Sequence, residues 1–233
     1  MSGGGDLKRL EELTSLLFQA HPWHGVSPGP EAPEEILAYI EIVTTDAVKY
    51  ELHKPSGLLG IDRPQKYSSF CPMLYGFIPQ TYCAEESARR AFKRNGLSDI
   101  RGDGDPLDIC VLTEKTFSHA NFLLRARPVG GLTMFDGKEV DDKVIAVLVD
   151  DVVYGDKVKD ISDVPEGLIV RLRHYFLTYT QPPEDSEQQV EIPEVYGREQ
   201  ALEVIRLGLV DYRNHYGAPE ARMAELKKLL GSG

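Results

Sequence analysis

The spacing of apolar residues changes along this chain, and that change limits the fold more than any other feature. Between Tyr39 and Val158 they come in short runs: Tyr39-Ile40-Glu41-Ile42-Val43, Val48-Lys49-Tyr50-Glu51-Leu52, Ile109–Leu112, Phe122–Val129, Val144–Val149 and Val152–Val158. Alternate residues of a strand face the same side, so these runs predict strands. Gly and Asp clusters separate them, and short strands at such spacing suggest a small barrel or a sandwich. The helical period then takes over. Leu168, Leu172, Tyr175, Phe176 and Tyr179 share one face, after a start signal at Asp163-Val164-Pro165-Glu166. Further helices are predicted over Arg198–His215, stopped by Gly217, and over Pro219–Leu230. An earlier one is predicted from Leu7, Leu10, Leu13 and Leu17.

Two stretches interrupt this pattern. His21–Pro33 is rich in Pro and Gly and reads as an extended linker. Thr81–Gly102 is polar and carries Arg89, Arg90, Lys93 and Arg94; it reads as a part-helical surface insertion with a solvated basic face. The chain of 233 residues, 42 % hydrophobic, is sized for one large domain with a true core. No apolar run approaches bilayer length. Met1–Asp6 lacks the basic start and apolar stretch of a signal peptide. Cys71, Cys83 and Cys110 are odd in number and lack metal spacing, so the expectation is free thiols in a reducing cytoplasm. The net charge of −11 opposes sequence-independent nucleic-acid binding. It would also repel a small anionic substrate, unless cations stand between the two.

The densest chemical signal is Asp103-Gly104-Asp105-Pro106-Leu107-Asp108, with three carboxylates in six residues. Crowded carboxylates repel, and hard divalent cations such as Mg²⁺ or Ca²⁺ are the usual reason to gather them. A solvated acidic turn is the alternative. A calcium-binding EF-hand loop does not fit, because Asp108 would occupy its Gly position and Leu107 a ligand position. In Lys49-Tyr50-Glu51, strand alternation sets Lys49 and Glu51 side by side, and Glu41 between Ile40 and Ile42 repeats the arrangement one strand earlier. Asp136-Gly137-Lys138-Glu139-Val140-Asp141-Asp142-Lys143 adds carboxylates and a lysine at the mouth of an apolar run; taken alone it also fits a charged hairpin. Arg63, beside Asp62, suits bidentate recognition of phosphate oxygens or a structural ion pair. The six histidines show no zinc spacing.

These motifs occur together and in order from Glu41 to Tyr179, and in this the sequence resembles the family I soluble inorganic pyrophosphatases. Lys49-Tyr50-Glu51, Asp62-Arg63, Tyr75-Gly76, Asp103–Asp108 and Arg127-Pro128-Val129-Gly130 carry the match. The resemblance implies an α+β, mainly β fold: a five-stranded OB-like barrel with flanking helices, as one domain over residues 1–233. That domain would carry an N-terminal helical extension to about residue 33, an insertion at about 81–102 and C-terminal helices at about 198–230. It implies a cytoplasmic, homo-oligomeric hydrolase that uses several Mg²⁺ ions to split pyrophosphate into two phosphates. Asp103, Asp108, Asp136 and Asp141 would be metal ligands, with Glu51 linked to a metal through water. Asp105 would be the general base toward a metal-bridging water. Lys49, Arg63, Tyr75, Lys143 and Tyr179 would contact phosphate oxygens, Lys143 and Tyr179 also serving catalysis. Glu41 and Asp62 would stand behind this set. Three positions depart from the family pattern: Cys71 stands where bacterial relatives carry Tyr, Gly137 where an acid is common, and Thr180 where a Lys is usual. A non-catalytic metal- or phosphate-binding module and a metal-dependent enzyme acting on nucleotides are the competing functions.

Overall fold

The computed structural model describes residues 19–65, 70–95, 99–179 and 190–230. The helix predicted over Leu7–Phe18 and the departure at Thr180 lie outside them. The strands are β1 (Ile36–Ile42), β2 (Val48–His53), β3 (Leu58–Pro64), β4 (Leu74–Phe77), β5 (Arg101–Gly102), β6 (Asp108–Leu112), β7 (Phe122–Asp136), β8 (Glu139–Val140), β9 (Lys143–Leu148) and β10 (Val190–Gly197). The helices are α1 (Glu85–Asn95), α2 (Glu166–Thr178), α3 (Arg198–Tyr216) and α4 (Pro219–Leu230). The class is mixed α+β, mainly sheet. None of the described helices is long and apolar enough to cross a membrane.

Five strands close on themselves: β1 pairs β4, β4 pairs β6, β6 pairs β9, β9 pairs β7, and β7 returns to β1. All these pairings are antiparallel except β6–β9. The long β7 makes closure possible. Its first residues pair with β1, from Phe122 to Ala126, and its last, Gly130 to Asp136, pair with β10. The register on β9 shifts between Pro128 and Gly130, where a strand residue without an N–H would otherwise break the ladder. The ring is also tight between β1 and β4. A Cβ on Gly76 would lie 1.8 Å from the Tyr39 carbonyl oxygen, so only glycine fits there.

The near-continuous apolar runs of β6 and β9 follow from burial on both faces. Ile109, Val111, Val144 and Ala146 enter one core cluster, with Val204 and Ile205 of α3. Cys110, Leu112, Ile145 and Val147 enter a second, with Leu172, Tyr175 and Phe176 of α2. The predicted helices over the α2, α3 and α4 segments are present, α3 ending at Gly217 with positive φ.

Three expectations need correction. Val152–Val158 is a series of turns, because the Asp151 carboxylate accepts from the Val153 and Tyr154 amides; Val152 itself is exposed. His21–Pro33 is not an extended linker: it folds through turns that bury Trp23, whose indole N–H donates to the Thr81 carbonyl. The 81–102 stretch is not a wholly solvated face, because α1 buries Ala91 and Arg90.

Candidate active site

β2 and β3 form a separate antiparallel ribbon at the edge of a cleft in the ring. The predicted alternation holds there: Lys49 Nζ lies 2.8 Å from Glu51 and 3.0 Å from Asp62. Arg63 bonds Asp62 at 2.7 Å, and its guanidinium lies 5.7 Å from the centre of the Tyr179 ring. Behind them Glu41 is buried on β1 and accepts from the Leu52 amide at 2.7 Å.

The opposite wall is the Asp103–Asp108 loop leading into β6. A Cβ on Gly102 would lie 2.1 Å from the Cys83 carbonyl oxygen, so the chain enters the loop through a contact that only glycine allows. The Gly104 amide donates to the Cys83 carbonyl at 3.1 Å, and the Cys83 amide donates to the Asp105 carbonyl at 2.9 Å. Thr81 Oγ1 accepts from the Leu107 amide at 2.9 Å. The loop is therefore set by backbone bonds to residues 81–83, which leaves its carboxylates to face the cleft. Asp103 Oδ1 accepts from the Asp105 amide at 3.0 Å.

Parallel pairing of β6 with β9 sets Asp108 opposite Lys143. The Lys143 ammonium bonds both Asp108 and Asp141 and stands 5.8 Å from the centre of the Tyr75 ring. Tyr75 donates its hydroxyl proton to Asp108. The cleft, ≈ 630 Å³ of empty space partly open to solvent, thus gathers Asp103, Asp105, Asp108 and Asp141 with Glu41 and Glu51. Facing these acids are Lys49, Lys143, Tyr75 and Tyr179. Asp62 and Arg63 border this set through Lys49 and Tyr179 without lining the cleft. Asp136 does not line it either; its side chain is exposed where β7 turns into β8.

Burial and mutual repulsion shape the charges. Glu41 is pushed up to about 8, first by burial and then by the Asp108 charge. Asp103 rises to about 8 through burial and its neighbour Asp141. Asp141 rises to about 7 through burial, which outweighs the Lys143 ammonium. Burial acts to lower Lys143, but Asp108 and Asp141 outweigh it and hold the amine charged. Among the described residues, no three His, Cys, Asp or Glu side chains are already gathered as a metal cage. Ammonium groups stand among the acids instead. An all-oxygen set of crowded carboxyl groups, raised by burial and by their mutual repulsion, fits a hard divalent cation such as Mg²⁺.

Three cleft residues, Lys54, Trp23 and Phe77, belong to none of the sequence motifs. Lys54, in the β2–β3 turn, forms an ion pair with Asp105, and its carbonyl is held by His21 Nε2 at 2.8 Å. Trp23 walls the cleft from the N-terminal turn. Lys54 could have been suspected as a cation just beyond Lys49 and Glu51; nothing local marked Trp23. Of the departures, Cys71 is buried in the second core cluster and Gly137 sits in the open at positive φ.

A family model described as inorganic pyrophosphatase matches residues 38–213. The inorganic pyrophosphatase of Chlamydia trachomatis serovar L2 is 49 % identical over 199 residues, covering 84 % of this chain and 95 % of that protein. Soluble inorganic pyrophosphatase 2 of Chlamydomonas reinhardtii is 36 % identical, over 84 % of this chain and 91 % of its own. The crystal structure of the inorganic pyrophosphatase from Thermus thermophilus superposes with a TM-score of 0.69 at 32 % identity, covering 84 % of this chain and 99 % of that one.

Proposed function

The chain belongs to the inorganic pyrophosphatase family and is a hydrolase acting on pyrophosphate, and from that premise we propose how its cleft divides the work. Asp105 is the general base, taking the proton of the attacking water on a carboxylate oxygen. Lys49, Lys143, Tyr75 and Tyr179 hold the phosphate oxygens, and Arg63 reaches them from the β3 edge. The two tyrosines add hydrogen bonds without charge. Lys54, paired with Asp105, stands beside the proposed base.

Asp103, Asp108 and Asp141 would hold Mg²⁺, with Glu51 in support; Asp136 would join them on the family resemblance alone. The chemistry Mg²⁺ would supply there is neutralisation of substrate charge and acidification of water. The observation that carries this reading is the convergence of Asp103, Asp105, Asp108 and Asp141 in one cleft opposite Lys49 and Lys143. It also explains how a chain of charge −11 handles an anion. Closure of β1, β4, β6, β9 and β7 into a ring supports the OB-like barrel, and the three free buried cysteines support a reducing cytoplasm. A homo-oligomer is part of the same proposal.

The test is Asp105→Asn, assayed for phosphate release from pyrophosphate with Mg²⁺. A general base contributes roughly 10²- to 10⁴-fold. The variant should lose about that much turnover while keeping its fold and its Mg²⁺ affinity. Turnover within a factor of about three of wild type, far below that range, removes Asp105 as the base.

A further inference from the structure

Helix α1 takes no part in the chemistry above, yet it buries a charge. The Arg90 side chain is 4 % exposed and that of its partner Asp142 3 %, with 3.2 Å between them. The guanidinium also lies 5.2 Å from the centre of the Tyr196 ring on β10. Burying both charges strips them of water, and a buried ion pair of this kind is poor evidence of stabilisation for its own sake. Its position suggests another use. Asp142 lies between Asp141 and Lys143, whose side chains line the cleft, while Asp142 turns the other way toward α1.

The segment that leads into α1 holds the other acidic stretch through Cys83. The Asp211 carboxylate of α3 accepts from the amides of Ala84 at 3.0 Å, Glu86 at 3.0 Å and Ser87 at 3.1 Å, which fixes the helix N-terminus. The adjoining Cys83 exchanges backbone bonds with the 103–105 loop. Ala91 of α1 packs with Phe135 and Val140 on β7 and β8, just ahead of Asp141. The loop that enters α1 therefore holds the Asp103–Asp108 stretch through Cys83, and the middle of α1 holds the Asp141–Lys143 stretch through Arg90.

We propose that Arg90 and Asp142 are positioning residues: through them α1 sets where Asp141 and Lys143 stand relative to the Asp103–Asp108 loop. The proposal rests on Asp141 being a Mg²⁺ ligand. Groups that orient a ligand from behind typically change metal affinity by roughly 10- to 100-fold when lost.

The experiment is a calorimetric Mg²⁺ titration, without substrate, of the double variant Arg90→Met with Asp142→Leu. Apolar side chains of similar volume replace the pair without leaving a lone buried charge. The expected result is a protein with native circular dichroism and Mg²⁺ binding weakened by roughly 10-fold or more. Wild-type affinity in the folded double variant overturns the proposal. If that variant does not fold, Arg90→Lys takes its place, since it keeps the charge and loses the planar fork. It should weaken Mg²⁺ several-fold, and wild-type affinity there overturns the proposal equally. Asp141→Asn is titrated alongside. Unchanged Mg²⁺ binding in Asp141→Asn refutes the ligand reading; weakened binding in it with normal binding in the Arg90 variants refutes the brace alone.

Discussion

Glu41 is a carboxyl that folding makes hard to ionise, and replacing it with glutamine should stabilise the metal-free protein. Its value rises from 4.5 to about 8, chiefly because the group is buried and secondly because Asp108 is close. Between those two values the folded protein holds a proton that the unfolded chain has released. Stability therefore falls as pH rises through this window. At about 1.36 kcal/mol per pH unit, the penalty is roughly 3 kcal/mol at pH 7 and approaches about 5 kcal/mol above pH 8. Glu41→Gln keeps an oxygen for the Leu52 amide and removes the titration. A domain of this size shifts its melting temperature by about 2–4 °C per kcal/mol. In the presence of chelator at pH 8, the variant should melt roughly 6 °C or more above wild type. The gap should shrink toward pH 5. Melting curves by circular dichroism across that range measure it directly. An equal or lower melting temperature for Glu41→Gln at pH 8, with wild-type pH dependence, would refute the electrostatic account of this residue.

Lys49→Ala should raise KM for pyrophosphate by about 10-fold or more, since a hydrogen bond to a charged group contributes about 1.5–3 kcal/mol. Its Mg²⁺ affinity should change less, and the reverse split in steady-state kinetics and Mg²⁺ titration would argue against phosphate contact. His24, stacked on Trp23 and bonded to the Tyr212 hydroxyl at 2.8 Å, is lowered to about 4 by burial and then by His21. The unfolded chain binds its proton first, so stability should decline as pH falls from about 6.5 to 4. Denaturant titrations of His24→Phe should show a shallower decline over that window, and an unchanged slope would contradict it.

The sequence made the ring strands legible where burial on both faces demanded unbroken apolar runs, as in β6 and β9. It concealed strands whose local residues look unsuitable. β10 carries Pro193 in mid-strand, which is tolerated because its register on β7 shifts between Glu191 and Glu194. β4 contains Gly76, a poor strand former required only by the close approach of Tyr39. The valines after Val149 mislead in the other direction, since one carboxylate, Asp151, captures the amides a strand would need. In the site, Lys49 beside Glu51 was readable from alternation, and the Asp103–Asp108 crowding from local repulsion. The meeting of Asp108 with Asp141 through Lys143 depends on β6–β9 pairing, which spacing alone does not encode. The Arg90–Asp142 pair and the Lys54–Asp105 pair join residues 52 and 51 positions apart, and neither Arg90 nor Lys54 carries a local mark of the acid it meets.

Phosphate release from pyrophosphate, followed on chelator-treated protein before and after adding back Mg²⁺, bears most directly on the premise that acids gather cations which in turn gather the anion. Without the metal, turnover should fall to the uncatalysed background, and Mg²⁺ should restore it. Full turnover by the chelated protein would contradict the account.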